Sequence, residues 1–413
     1  MNKWLNQRRR SAYLVALAGT ILTVSIVVYP QEAFSASTHG LRLWWEIVFP
    51  ALLPFFIATE ILMGLGVVHF TGVLLEPLMQ PIFRVPGVGG FAVAMGLASG
   101  YPIGAKITAS LRRDNLCSRL EAERLVSFSN MADPAFMLGA VAVGMFSNLK
   151  LGAAIAQAHY LSSILLGLLM RFYGGHEKVL SPTPASHENI LDKALRDLYR
   201  ARVADGRSIG QLMGDSVREA VNTLLMIGGF IITFSVLIRI MTVTGLAGLF
   251  GRPAASILGL FGFSHAAIAP VFSGIFEITL GTDLASQAAV PLVQKAMLAS
   301  AIIAWSGLSV HAQVASMISD TDIRFWPYFL ARLIHAMLAA LITPFFLGAT
   351  TVSSGISSLP PFQAYITPQP GFWAHFTTAV LILMGALTIM ILLSLASFLA
   401  RRIQVVVLRV KRP

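Results

Sequence analysis

Charge is scarce in this sequence, and cysteine is almost missing. Asp, Glu, Lys and Arg make up only 12% of the 413 residues, about half their share in an ordinary soluble domain. With 56% of the chain hydrophobic, so few charges cannot furnish a water-facing surface of the necessary size. Cys117 is the single cysteine, which excludes an internal disulfide and any paired-cysteine metal spacing. HExxH and GxSxG are absent, and the nine histidines are scattered. GYPIGAK at Gly100 to Lys106 fails as a phosphate loop, because Ala105 stands where the glycine before the lysine belongs. An enzyme, a metal and a cofactor are therefore not expected.

What the chain has instead is long apolar runs, near 12–30, 43–68, 87–111, 121–147, 149–171, 216–241, 255–284, 290–318, 325–349 and 372–400. A spanning helix needs roughly 20 mainly apolar residues, so the expected fold is an all-α polytopic membrane protein. The net charge of +11 would suggest nucleic acid in a soluble protein. Here the basic residues sit in short loops and tails without aromatic interleaving, so the expected partner is the lipid bilayer and not nucleic acid.

Arg8 to Arg10 precede the apolar stretch Tyr13–Val28, and Ala33-Phe34-Ser35 offers small residues for cleavage. A secretory signal reads the same way; an uncleaved first helix followed by an external loop is expected. The main polar interruption, Gly174 to Asp215, contains Glu188 to Val203, an amphipathic stretch with Ile190, Leu191, Leu195 and Leu198 on one side. It is expected to be a cytoplasmic helix resting on the membrane or the bundle. The organisation expected is 1–39 as an N-terminal helix, 40–175 and 216–350 as two repeats, 176–215 as the linker, and 351–413 as an external loop, a last span and a basic tail.

The two halves look alike at an offset of 173 or 174 residues. SGYPIG (99–104) stands against SGIFEITLG (273–281), LLPFFIATEIL (52–62) against LLMIGGFIITF (224–234), and Phe136–Ala142 against Ser309–Ala315. Apolar letters match easily by chance; the shared order of long helix, Gly-broken segment and long helix says more. Lys and Arg in short loops favour the cytoplasmic side. If 87–111 and 255–284 dip in and return, Arg42, Lys150, Arg239 and Arg252 fall outside, and Lys106, Lys295 and Arg332 fall within apolar segments. The other 23 of the 30 basic residues are then inside, both termini included. Full crossings would instead carry the Arg112–Arg124 loop and the basic linker outside. The re-entrant arrangement wins on charge, and it inverts the second repeat relative to the first. About eight spanning helices and two re-entrant helical hairpins result, a pattern found in secondary transporters.

Gly and Pro inside such segments free backbone groups that lipid cannot satisfy. Paired breaks therefore point to a midplane site, although glycines also serve close helix packing. Polar residues accompany both breaks. The candidate binding residues are Ser99, Gly100, Tyr101, Pro102, Gly104 and Lys106 in the first, with Asn130 after it. In the second they are Ser273, Gly274, Glu277, Thr279 and Gly281, with Gln313 after it. Lys106 and Glu277 would fall at near-equivalent places, as an ion pair or as ligand contacts. Asp133 before Pro134 could cap a local break or, like Glu277, serve a coupling cation or proton. His311 alone is more often a satisfied core histidine than a ligand. Glu60, Arg332 and His335 are placed in the interior without a role.

SGYPIGAKIT (99–108), EAERLVSFSN (121–130), FMLGAVAVG (136–144) and FEITLG (276–281) together resemble the sporulation integral membrane family called YlbJ, also SpoVV, of endospore-forming Firmicutes. The resemblance covers roughly residues 40–350. It places the chain in the broader nucleoside-recognition Gate group, with relatives among concentrative nucleoside transporters and ferrous iron transporters. It implies a role in spore maturation, moving dipicolinate, a small aromatic dianion, from the mother cell across the outer forespore membrane. The SGYPIGAK and FEITLG runs would then form the site, Lys106 meeting the carboxylates and Tyr101 stacking on the ring. The family pattern has Asn before the proline where this chain has Asp133, so a charge is available here that Asn would not supply. A nucleoside or other organic-solute carrier and a non-transporting envelope scaffold are the competing readings.

Overall fold

A computed structural model describes residues 13, 16–17, 19–175 and 189–351. The far N-terminal tail, part of the linker, the expected span at 372–400 and the basic C-terminal tail lie outside the described residues. Among the described residues every regular element is helical. Helix α1 (Gly19–Val28) is followed by α2 (Pro30–Gly64), with a π-helical stretch at Trp44–Val48, and by α3 (Val67–Phe83). A helical pair follows, α4 (Gly89–Ser99) and α5 (Ile103–Arg113), then α6 (Arg119–Ser129), the π-wound α7 (Phe136–Met145) and α8 (Leu149–Met170). The linker helix is α9 (Ile190–Asp205). The second half reads α10 (Ile209–Val243), α11 (Leu246–Leu260), a second pair α12 (Ile268–Phe276) and α13 (Ile278–Gln287), then α14 (Leu292–Trp305), α15 (Gly307–Ile318) and α16 (Phe325–Thr351).

Local chemistry sets several of these starts. Ser118 with Glu121, and Ser208 with Gln211, form reciprocal capping boxes that satisfy otherwise orphaned N–H groups of α6 and α10. Gly206 ends α9 in the left-handed region.

Each pair is a hairpin. Gly96 and Gly104 are eight positions apart in sequence, yet a Cβ on Gly96 would lie 3.7 Å from Gly104 Cα; one continuous helix would separate these residues by about 12 Å. A Cβ on Gly281 would lie 2.4 Å from Gly274 Cα. Missing side chains thus let the two arms of each hairpin touch backbone to backbone.

Each hairpin also returns to the end it left. At the first base, Arg124 Nη1 donates to Arg84 O at 3.0 Å, and Arg112 Nη1 donates to Cys117 O at 3.1 Å. At the second base, Gln294 Nε2 donates to Gly262 O at 3.1 Å. Between the two bases run α14 and α15, an apolar stretch of 27 residues that starts beside the second base and ends at Ile318, two residues before Asp320, which pairs with Arg113. The hairpins therefore enter from opposite ends of the molecule.

Packing between the halves is reciprocal. Helix α5 lies against α15 while α13 lies against α7; α6 meets α16 while α14 meets α8. Such exchanged pairs are what an approximate two-fold axis produces. Helix α8 packs on α16, where His159 and His335 meet at a tilt with ring centroids 4.7 Å apart.

Four expectations need correction. The external loop expected after the first helix is replaced by helix; Pro30 opens it, Glu32 lies in its first turn, and Ala33, Ala36, Gly40 and Leu43 are buried. Helix α3 was not expected as a separate element, because His69, Glu76 and Pro77 interrupt its apolar pattern. Residues 121–147 and 290–318, each expected as one apolar run with a local break weighed only at Asp133, are each broken, at 130–133 and at Ser306. Residues 255–260 belong to α11, so the second hairpin proper spans 268–287. The amphipathic linker helix is present and packs on α3, where Lys193 pairs with Glu76. It buries Ala194 while Leu191 and Leu195 stay exposed.

Candidate functional site

The first hairpin turns at Gly100-Tyr101-Pro102. Gly100 adopts φ +70°, and a Cβ there would lie 2.8 Å from Asp133 Oδ2, so the tip sits directly on the break between α6 and α7. That break is capped from within: Phe136 N–H donates to Asp133 Oδ1 at 2.8 Å. The second hairpin turns at Glu277 alone, whose carboxylate accepts from Leu280 N–H at 2.7 Å and so caps α13. A Cβ on Gly307 would lie 3.2 Å from Glu277 Cα, which puts this tip on the break between α14 and α15. Each half thus repeats one device, a hairpin tip seated on a broken helix.

The two tips share a core. Tyr101 packs in one apolar cluster with Ile278 and Leu280 of α13 and Phe136 of α7, and in another with Val310 and Val314 of α15 and Tyr328 of α16. Asn130, Asp133, Ser273, Glu277 and Thr279 are all buried there. Gly104 is buried against Ser129 O, and Gly274 and Gly281 against Ile302. Gln313 is half-buried on α15.

Lys106 stands apart. It is exposed on α5, and the carboxylate in its electrostatic reach is Glu60 of α2; the structure does not bring it to Glu277. The reason is register. By the touching glycines, Gly96 corresponds to Gly274 and Gly104 to Gly281. Glu277 therefore matches the first hairpin's tip, whereas Lys106 lies more than a full turn beyond it. The SG letters at 99 and 273 are out of structural register by one helical turn.

Sequence reasoning gave no role to the groups that hold the first break. Arg332 Nη1 donates to Asn130 O at 3.0 Å, and Asn130 Nδ2 donates to Tyr328 OH at 2.8 Å. Ala132 N–H donates to His159 Nε2 at 3.0 Å, and Tyr160 OH donates to Ala132 O at 3.2 Å. The signal was available: Tyr328, Arg332 and His335 recur at i, i+4 and i+7, one stripe of an otherwise apolar helix. Around this break several buried polar atoms have no hydrogen-bond partner, namely Ser99 Oγ, Tyr101 OH, Asn130 Oδ1, His311 Nε2, and Nε and Nη2 of Arg332. Native interiors leave few such atoms, so their clustering makes this break the candidate site. A cavity of about 430 Å³ lies elsewhere, between α3, α4 and α9, lined in part by His69, Glu76, Asp197 and Arg200. No group of three or more metal-ligating side chains occurs among the described residues.

The Gate family, described as nucleoside recognition, matches residues 45–149, which include the first hairpin and the break it sits on. The sporulation integral membrane protein YlbJ of Bacillus subtilis is 49% identical over 343 residues, covering 82% of this chain and 83% of that protein. An uncharacterised protein of Alkalihalophilus pseudofirmus is 31% identical over 128 residues, covering 29% of this chain and 27% of that protein. Among solved structures, CNTnw in an inward-facing substrate-bound state is 15% identical, with coverage of 83% of this chain and 87% of that one and a TM-score of 0.45.

Proposed function

This chain belongs to the family of the sporulation integral membrane protein YlbJ, and from that premise we propose that it is a carrier moving a small organic solute across a membrane during sporulation. One observation carries the reading. Two hairpin tips and two helix breaks converge, from opposite ends, on one buried cluster of unpartnered polar atoms. Irregular backbone at membrane depth is tolerated where protein buries it or a wet cavity receives it, and paired discontinuous helices are the usual frame of a midplane transport site. Alternating access follows if one hairpin withdraws from its break while the other stays seated. No covalent chemistry is involved in this proposal.

The solute proposed is dipicolinate, exported from the mother cell across the outer forespore membrane, with both termini of the carrier in the cytoplasm. A dianion fits a cluster offering guanidinium, phenol and hydroxyl donors, and its ring fits beside Tyr101. Lys106 lies outside that cluster, so its substitution is expected to change uptake little. A second reading, a nucleoside carrier, is favoured by the description of the matching family. Uptake of labelled dipicolinate into proteoliposomes, with unlabelled nucleosides as competitors, separates the two. Uptake of neither leaves a non-transporting scaffold of the forespore envelope.

A further inference from the structure

Arg332 is fully buried on α16, and no Asp or Glu among the described residues forms an ion pair with it. Its orientation is fixed by two contacts, one of them braced in turn. Nη1 is held by Asn130 O at 3.0 Å, Cζ lies 6.0 Å from the Tyr328 ring centroid, and the Tyr328 hydroxyl is itself held by Asn130 Nδ2 at 2.8 Å. The nitrogens left without partners are Nε and Nη2. These two form the side-on edge of the guanidinium, where an Nε–H and an Nη2–H point out in parallel and match the two oxygens of one carboxylate. A buried cation with no counter-charge is costly unless something supplies one.

Beside it lie further unpartnered groups, Tyr101 OH at the first tip and His311 Nε2 on α15. The His311 ring stands 4.2 Å from that of Trp305 and 5.3 Å from that of Tyr328, centroid to centroid. Asp133 and Glu277, the acids of the two tips, are engaged in capping their own helices. From this geometry we infer that the Nε–Nη2 edge of Arg332 is the carboxylate anchor of the solute site, gripping one planar carboxylate in two-pronged fashion next to an aromatic wall. The anchor selects aromatic or other planar carboxylates over neutral solutes of the same shape. The inference rests on the carrier reading and adds to it the group that decides charge.

The test uses the full-length protein in detergent and in proteoliposomes, with pyridine-2,6-dicarboxylate as probe and pyridine-2,6-dicarboxamide as its neutral counterpart. The wild-type protein is expected to bind the dicarboxylate and to ignore the diamide. Arg332→Lys keeps a positive charge but loses the fork, and is expected to weaken binding at least tenfold; Arg332→Gln is expected to abolish it. Lys106→Ala is expected to bind as the wild type does. Wild-type affinity in a folded Arg332→Lys protein overturns the anchor, and that variant decides if Arg332→Gln does not fold. Binding of a nucleoside but of no carboxylate by the wild type also overturns the anchor and spares the carrier. Binding and uptake of neither overturn the carrier reading itself.

Discussion

The two hairpins share a design at the tip and differ at the base. At the first base the clamps are ionic. Arg112 meets Asp322 through two bonds of 2.8 and 3.0 Å, Arg113 meets Asp320 at 2.8 Å, and Arg324 grips the buried carboxylate of Glu123 at 2.8 and 3.0 Å. At the second base the bonds run to backbone carbonyls: Gln294 to Gly262 O, and Lys295 to Ser286 O at 2.7 Å. The tips meet in one buried core and so stay alike. The bases face different ends, and charge gathers at the end where the short basic loops lie. The first hairpin is therefore pinned to the loop between α15 and α16 of the opposite half.

The comparison breaks most sharply at the touching glycines. A Cβ on Gly104 would lie 2.3 Å from Ser129 O, and one on Gly281 would lie 2.4 Å from Gly274 Cα. Gly104→Val and Gly281→Val are each expected to abolish the monodisperse peak in size-exclusion chromatography, since backbone cannot yield to either methyl. Gly229→Val, with nothing within 4 Å of a Cβ, is expected to leave the peak unchanged. If only one hairpin suffers, the two are not equivalent in packing.

Next in size is the charged base. Glu123→Ala strips Arg324 and Tyr173 of their shared acceptor, and is expected to lower the unfolding temperature more than Gln294→Ala does at the other base. A thermal melt of the two variants checks the ranking. Smaller still are the caps. Asp133→Ala is expected to cost about 1 kcal/mol, while Asp133→Asn, which keeps an acceptor for Phe136 N–H, should lose less than half of that in the same melt.

The smallest effect is acid release of the first base. Hydrogen bonding from Arg112 holds the Asp322 carboxyl below the usual carboxylate range. A depressed folded pKa gives stability that is complete above the unfolded value of about 3.9 and is lost as pH falls through the lower, folded one. The wild type should therefore exceed Asp322→Asn in unfolding temperature by a constant margin at neutral pH, closing below about pH 4. Added salt should shrink the margin, because this pair is partly exposed.

Much of this architecture was legible in the sequence, for physical reasons. Glycine and proline inside apolar segments announced both hairpins, and the bias of Lys and Arg placed Arg84 and Arg112 at one end, where the structure has them. The helix breaks were harder to read. Ser306 takes φ +70° as a non-glycine residue with no proline beside it, where its neighbour Gly307 seats against Glu277 of the second tip. The pairing of Lys106 with Glu277 failed because matching letters set the register one turn away from matching backbone contacts. Arg332 was visible as a charge in an apolar run, but its partner atom, Asn130 O, belongs to a break that only the folded chain reveals.

That the hairpins enter from opposite ends is open to one direct measurement. Cys117 is fully buried and its thiol is pushed up to about 12, so it offers little background to a maleimide. Single cysteines at Arg84, Asp114, Ser264 and Ala289, in a Cys117→Ala background, should be labelled by a membrane-impermeant maleimide in two groups. Arg84→Cys and Asp114→Cys should react from one face of sealed vesicles, and Ser264→Cys and Ala289→Cys from the other. If either pair is split between faces, that hairpin crosses the membrane and the shared buried site is lost.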